Sequence, residues 1–384
     1  MTVIADLRTP QPAARPRAER LSLERALSLG EASWEQLRAQ GPNPSPFSSW
    51  AWHQAWHATA PVDERDNAFA VATFGGDGAM TALLPLATRR ITFRRAPATA
   101  LTWAIGDVGC PDHLDVLATP GRALDDVMDV LDGLDWDLLQ LDGLVDGAPG
   151  ARALQAALDA RGMTTAVRQL WRCPYIDLPP TWNAYLAERS SARRETIRRR
   201  ERALGRHGHV AVTFYGPESH DEAWHHLLRL HDSRWKGDGA FDARTIALHR
   251  HFAAHLALSG RAWLSTIDVD GEAVAAWYGF VDRNTLHYYQ AGRSPEWNKF
   301  GVGGVHLGLM IQRAIAQGLD RFDLLRGDEP YKADWSTGHR YTYQLLAFRR
   351  STRGRMLRFA DRVGLVRERV AKRAYQRDHA EDLS

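Results

Sequence analysis

"NKFGVGGVHLGLMIQRAIAQGLDRFDLL" runs from Asn298 to Leu325. Leu307, Met310, Ile311, Ala314 and Ile315 recur at helical spacing, which predicts a helix entered through glycines and left at Gly318. "RFDLL" then reads as a strand. Upstream, "AWLSTIDV" (Ala262–Val269), "EAVAAWYGFV" (Glu272–Val281) and "TLHYYQAG" (Thr285–Gly292) read as a meander turned at Asp270-Gly271 and at "DRN". Strands first, then a helix crossing to a further strand, predict a mixed sheet with helices packed on it.

The first half repeats that order. "FAVATF" (Phe69–Phe74) leads through "GGDG" into "MTALLPLATRR" (Met80–Arg90). A helix-like "GRALDDVMDVLDG" (Gly121–Gly133) precedes "WDLLQLDG" (Trp136–Gly143). "GLDWDLLQLDG" at Gly133–Gly143 and "GLDRFDLLRGD" at Gly318–Asp328 spell one strand twice. The chain therefore reads as two copies of one α/β unit. The expected division is a disordered tail at 1–20, a first lobe at 21–175, a second at 176–348 and a basic helix at 349–384.

With 384 residues, 44% of them hydrophobic and 25% charged, the composition is that of a folded chain with room for two cores. A net charge of +3 does not mark the whole molecule as a polyanion binder. Cys110 and Cys173 are too few and too far apart for a disulfide framework or a zinc site. His251 and His255 share a helix face but lack the glutamate of HExxH and a third ligand, so no metal is expected. No stretch reaches the roughly 18 apolar residues of a membrane span, so a cytoplasmic protein is expected.

Lysine occurs only at Lys236, Lys299, Lys332 and Lys372 in a chain otherwise using arginine. A lysine carries a compact charge that can lose its proton, unlike a guanidinium. Gly301, Gly303 and Gly304, beside Asn298 and Lys299, would open backbone N–H groups at a helix start, where pyrophosphate is well held. Asp137 and Asp323 occupy matching places in the two copies, which points to a structural role for Asp323. Asp328, Glu329, Tyr331 and Lys332 belong to the second copy alone. They supply a candidate base (Asp328 or Glu329), a candidate acid (Tyr331) and a cation to stabilise developing charge (Lys332). In "ERSSARRETIRRRERALGRHG", Arg194 and Arg198 lie one turn apart and are candidates for an anionic acceptor. Trp50, Trp52 and Trp56 read as core before they read as a sugar platform.

A meander, an x-x-x-G-x-G loop, a helix and a strand together resemble the acyl-CoA-binding core of the GNAT acetyltransferases. Asn298 stands where that superfamily usually has Arg or Gln. "IRRRERAL", "YYQAG", "FDLLRGDEPYKADW" and "FSSWAWHQAWHA" resemble the CelD/BcsL-type acetyltransferases. These are linked to cellulose and exopolysaccharide production and are related to the tandem-GNAT FemAB transferases. The resemblance implies a tandem GNAT fold with a degenerate first lobe. It also implies acetyl-CoA as co-substrate, Tyr289 and Gln290 near the acceptor, and transfer to an amine or hydroxyl of a cell-envelope or exopolysaccharide precursor. The alternatives are a FemAB-like aminoacyl-tRNA-dependent peptidyl transferase and a non-catalytic basic module. Contact with a membrane or with polysaccharide machinery, and with tRNA in the first alternative, are the partners each reading implies.

Overall fold

In the computed structural model, residues 18–42, 45–235 and 241–378 are described. Thirteen strands run β1 (Ala18–Ser22), β2 (Ala68–Phe74), β3 (Met80–Phe93), β4 (Ala96–Trp103), β5 (Leu117–Ala118), β6 (Leu138–Val145) and β7 (Thr164–Asp177). The second half supplies β8 (Val210–Phe214), β9 (Ala262–Val269), β10 (Glu272–Asp282), β11 (Thr285–Arg293), β12 (Arg321–Asp323) and β13 (Gly338–Phe348). All join one sheet in the order β1-β2-β3-β4-β6-β13-β7-β12-β11-β10-β9-β8, with β5 on β3.

Two copies of a mixed α/β unit are visible in this order. In each, a meander ends in a strand that passes through a loop and a helix before pairing in parallel with the next strand. The first crossing helix is Asp125–Asp132, between β4 and β6. The second is Val302–Ala316, between β11 and β12. Both parallel pairings are short: Ala100 and Leu101 against Leu138 and Leu139, and Thr285–His287 against Arg321–Asp323. β12 ends with its pairing, whereas β11 runs on to Arg293, and its last residues line a cavity with the glycine loop.

The two units share strands. β7 pairs along most of its length with β13, and its last three residues pair with β12. The expected boundary at 175 thus falls inside β7, a strand long enough to serve both units. β13, expected in the second lobe, lies between β6 and β7. The expected tail also ends sooner: Ala18–Arg20 belong to β1, where their backbone pairs with β2, while residues 1–17 lie outside the described residues.

Buried ion pairs weld the halves. Arg38 grips Asp282 through two bonds of 2.7 and 3.1 Å. Arg326 binds the fully buried Asp112 through Nε at 2.7 Å and its backbone N–H at 2.9 Å. Trp52 and Trp56 are fully buried, as core residues should be.

Candidate active site

The glycines do open a helix start. Gly301 adopts φ +68°, the left-handed conformation that favours glycine, and it precedes the first residue of the helix Val302–Ala316. Gly301 N–H donates to the Asn298 carbonyl at 2.9 Å, and Gly304 and Val305 N–H donate to the Gly301 carbonyl at 2.9 and 3.1 Å, so the groups left at the open helix start are the N–H groups of Val302 and Gly303. The loop lines a cavity of about 400 Å³. Trp277, Tyr288, Ala291, Tyr331 and Trp335 make its aromatic and apolar walls, and Arg193, Arg200 and Arg293 its cationic ones.

The cations are placed over the loop. A Cβ on Gly301 would lie 2.6 Å from Arg200 Cδ, and one on Gly304 would lie 3.2 Å from Arg200 Nη1. A Cβ on Gly303 would meet Arg293 Cδ at 3.4 Å. Arg293 Nε donates to Asn298 Oδ1 at 2.5 Å. Helix amides, two guanidiniums and the positive end of the dipole therefore converge where an anion would sit. Arg193 lies over the Trp335 ring at 4.7 Å and donates to Asp334 at 3.1 Å. Burial, then Arg200 among nearby charges, lowers the Arg193 pKa.

Asn298, Gly301, Gly303, Gly304 and Tyr331 are thus brought together, whereas Lys299 turns away over the Phe300 ring at 4.9 Å. Asp328 is exposed, 3.8 Å from Arg172. Glu329 is also exposed and precedes the helix Pro330–Trp335. Lys332 is only 5% exposed. Its Nζ donates to the Arg326 carbonyl at 2.6 Å and pairs with Glu329 at 3.0 Å, so it fastens the loop and does not line the cavity.

Tyr289 and Gln290 sit at a bulge. Tyr278 pairs with Gln290 and Gly279 with Tyr288, so the register skips Tyr289. Its ring centroid stands 3.7 Å from that of the buried His249, on the side facing the first half, and burial pushes its phenol pKa well up. Gln290 Oε1 accepts from Ala291 N–H at 3.0 Å. Asp323 is fully buried. Burial alone would raise its pKa, but Arg340 at 2.5 Å and His113 at 3.2 Å hold it well below the usual carboxylate range. This is the structural role its repetition suggested.

The arginine-rich helix Ser191–Leu204 is capped by Ser190, whose side chain accepts from Arg193 N–H. Neither Arg194 nor Arg198 lines the cavity. Arg194 donates to the Arg189 carbonyl at 2.6 Å, and Arg198 is exposed. Arg193 and Arg200 take that place because they share a face with the buried Ile197 and Leu204. Those two apolar positions were the signal in the sequence that marks the inward stripe. His306, also on the cavity wall, was not singled out either. Its Nε2 lies 2.9 Å from Ser265 Oγ, and burial lowers its pKa to about 3, so the ring is neutral.

Residues 191–333 match the family model described as an acetyltransferase (GNAT) domain. The second half carries a GNAT acyltransferase-like domain. No curated protein matches the sequence. Among solved structures, FemX is 12% identical with a TM-score of 0.54, covering 83% of this chain and 95% of its own. The C-terminal domain of a putative lysylphosphatidylglycerol synthetase from Agrobacterium fabrum is 10% identical, with a TM-score of 0.51 over 88% of this chain and 97% of its own. L-PGS from Bacillus licheniformis is 13% identical, with a TM-score of 0.50 over 86% and 96%. These likenesses extend through both halves and show the tandem GNAT-like fold.

Among the described residues, no group of three or more His, Cys, Asp or Glu side chains is placed to hold a metal ion.

Proposed function

We propose that the protein is an acyl-CoA-dependent acyltransferase, with its donor in the second-half cavity. One observation carries this reading: the glycine-opened start of the helix Val302–Ala316 faces a cavity in which Arg200 and Arg293 flank the loop glycines. That arrangement suits the pyrophosphate of a CoA thioester. The narrow aromatic walls suit the uncharged arm that follows it.

In the reaction, an acceptor amine or hydroxyl attacks the thioester carbonyl, the C–S bond breaks, and the proton the acceptor loses to solvent is balanced by the one the departing thiolate gains. Tyr331 is the candidate donor of a proton to the departing thiolate, since its side chain lines the cavity. The acyl group is proposed to be acetyl. A cell-envelope or exopolysaccharide precursor is the proposed acceptor, supported by the resemblance to the CelD/BcsL-type enzymes.

Calorimetry with acetyl-CoA tests the donor assignment. Arg200→Ala should weaken binding by about tenfold to a hundredfold, the scale of a lost charge-assisted phosphate contact. Arg198→Ala, two residues away on the outer face, should change it less than about twofold. Binding of aminoacyl-tRNA without any acetyl-CoA binding would replace this reading with the peptidyl-transferase one.

A further inference from the structure

The helix Thr352–Asp378 is fastened to the sheet by one face. Leu357 is buried, and Asp361 receives both Arg94 and Arg168. Glu368 pairs with Arg94 one to two turns further on. At about 100° per residue, these three positions fall on one side of the helix.

The opposite side is apolar and uncovered. Met356, Phe359 and Val366 are 66%, 68% and 58% exposed. With the half-buried Val363 they span about 80° of the helix, turned away from Leu357 and Asp361. Arg355, Arg358 and Arg362 line one edge of this stripe. None of the three has a carboxylate partner among the described residues. Between Thr352 and Val366 the sole carboxylate is Asp361, and it is turned inward. The outward face therefore combines apolar side chains with unneutralised guanidiniums.

We propose that this face rests on an anionic membrane surface, with Met356, Phe359 and Val366 entering the headgroup boundary and the arginines contacting lipid phosphates. Charge complementarity selects this occupant. An apolar stripe edged by cations, with no outward carboxylate, is the pattern of a helix lying in the interface plane. Among the described residues, no helix is long and apolar enough to cross a membrane, so attachment through this helix is peripheral. The inference stands whichever group the second half transfers.

Co-sedimentation of the full chain with phosphatidylcholine vesicles, with and without phosphatidylglycerol, tests it. The chain should bind the anionic vesicles and not the neutral ones, and binding should weaken with salt. M356S/F359S/V366S, which leaves Leu357 and Asp361 in place, should lower the partition coefficient about tenfold or more at unchanged melting temperature. R355Q/R358Q/R362Q should remove the salt dependence. Equal binding to both vesicle types, binding to neither, or an apolar variant that partitions like the wild type overturns the proposal. So does a wild-type dimer in analytical ultracentrifugation that M356S/F359S/V366S turns into a monomer, since the stripe would then be a self-association surface.

Discussion

The two halves each hold a cavity beside helix starts, and the cavities differ in what lies against the amides there. In the second half, the loop Asn298–Gly304 and the helix Pro330–Trp335 border about 400 Å³. In the first, the stretch Thr119–Asp125 and the helix Pro149–Ala160 border about 690 Å³. There the Asp115 carboxyl accepts the N–H groups of Val116 at 2.7 Å, Gly150 at 3.2 Å and Ala151 at 2.7 Å. Burial pushes its pKa up to about 6 despite these three donors. The arginines on that cavity are engaged as well: Arg122 with Asp126, and Arg38 with Asp282 and Glu35. The first unit satisfies the start of the helix that follows β6, Pro149–Ala160, with its own carboxyl group, while its crossing helix Asp125–Asp132 has no side-chain cap. In the second, the start of the crossing helix Val302–Ala316 faces a cavity, with the N–H groups of Val302 and Gly303 there and Arg200 and Arg293 beside the loop glycines. A helix start beside a cavity can thus be closed by the chain's own carboxyl, as at Pro149–Ala160, or left to receive an outside anion, as at Val302–Ala316.

The sharpest way to break this comparison is to give the second half the carboxyl of the first. Gly303 has ordinary φ and room for a side chain beside Arg293. Gly303→Asp should place a carboxylate against the N–H groups and lower acetyl-CoA affinity about a thousandfold, as like charges oppose the pyrophosphate. Calorimetry on folded protein reads this directly, and unchanged affinity would remove the glycine loop from the donor site.

The converse change concerns stability. The folded pKa of Asp115, about 6, stands above its ordinary 3.8. The stability this group contributes is therefore full below about pH 3.8 and is lost as pH rises through about 6. Asparagine does not titrate. The stability of the wild type relative to Asp115→Asn should consequently fall by roughly 3 kcal/mol between about pH 4 and about pH 8. Urea unfolding at several pH values measures it, and a difference that stays flat would mean the carboxyl is not held in this way. Acetyl-CoA affinity should not respond to the substitution.

A smaller effect is expected at Lys332. Removing a buried ammonium that holds a backbone carbonyl costs about 2 kcal/mol. Lys332→Ala should lose about that much stability by denaturant titration while its affinity for acetyl-CoA stays near that of the wild type. Turnover reduced about a hundredfold in folded Lys332→Ala would instead return the residue to the chemistry.

The strand repeated as "DLL" shows how far sequence reaches. Asp137-Leu138-Leu139 and Asp323-Leu324-Leu325 are spelled alike, and all four leucines are buried in the structure. Yet β6 runs on to Val145, held between β4 and β13, whereas β12 stops at Asp323. Leu325 turns at φ +55°, and the next N–H groups go to Asp112 and to the Arg172 carbonyl. Gly327 and Pro330 after the second copy mark a turn locally, but the partners that hold this turn lie more than 100 residues away and no local pattern names them. The same holds for Lys332. Its rarity was legible, but the Arg326 carbonyl that holds it appears only after the loop has closed.

Periodicity alone specified the meander Ala262–Arg293, the helix after the glycines and the repeat, since apolar spacing records which side of each element is buried. It also contained the inward stripe of the arginine-rich helix, in Ile197 and Leu204. Tertiary structure decided the remainder. It brought Arg200 and Arg293, 93 positions apart, over one loop, lent β13 to the first unit's sheet, and set Asp115 beside the amides of Gly150 and Ala151. Such contacts depend on how whole elements pack, and an element's own residues fix which face it buries but not what that face will meet.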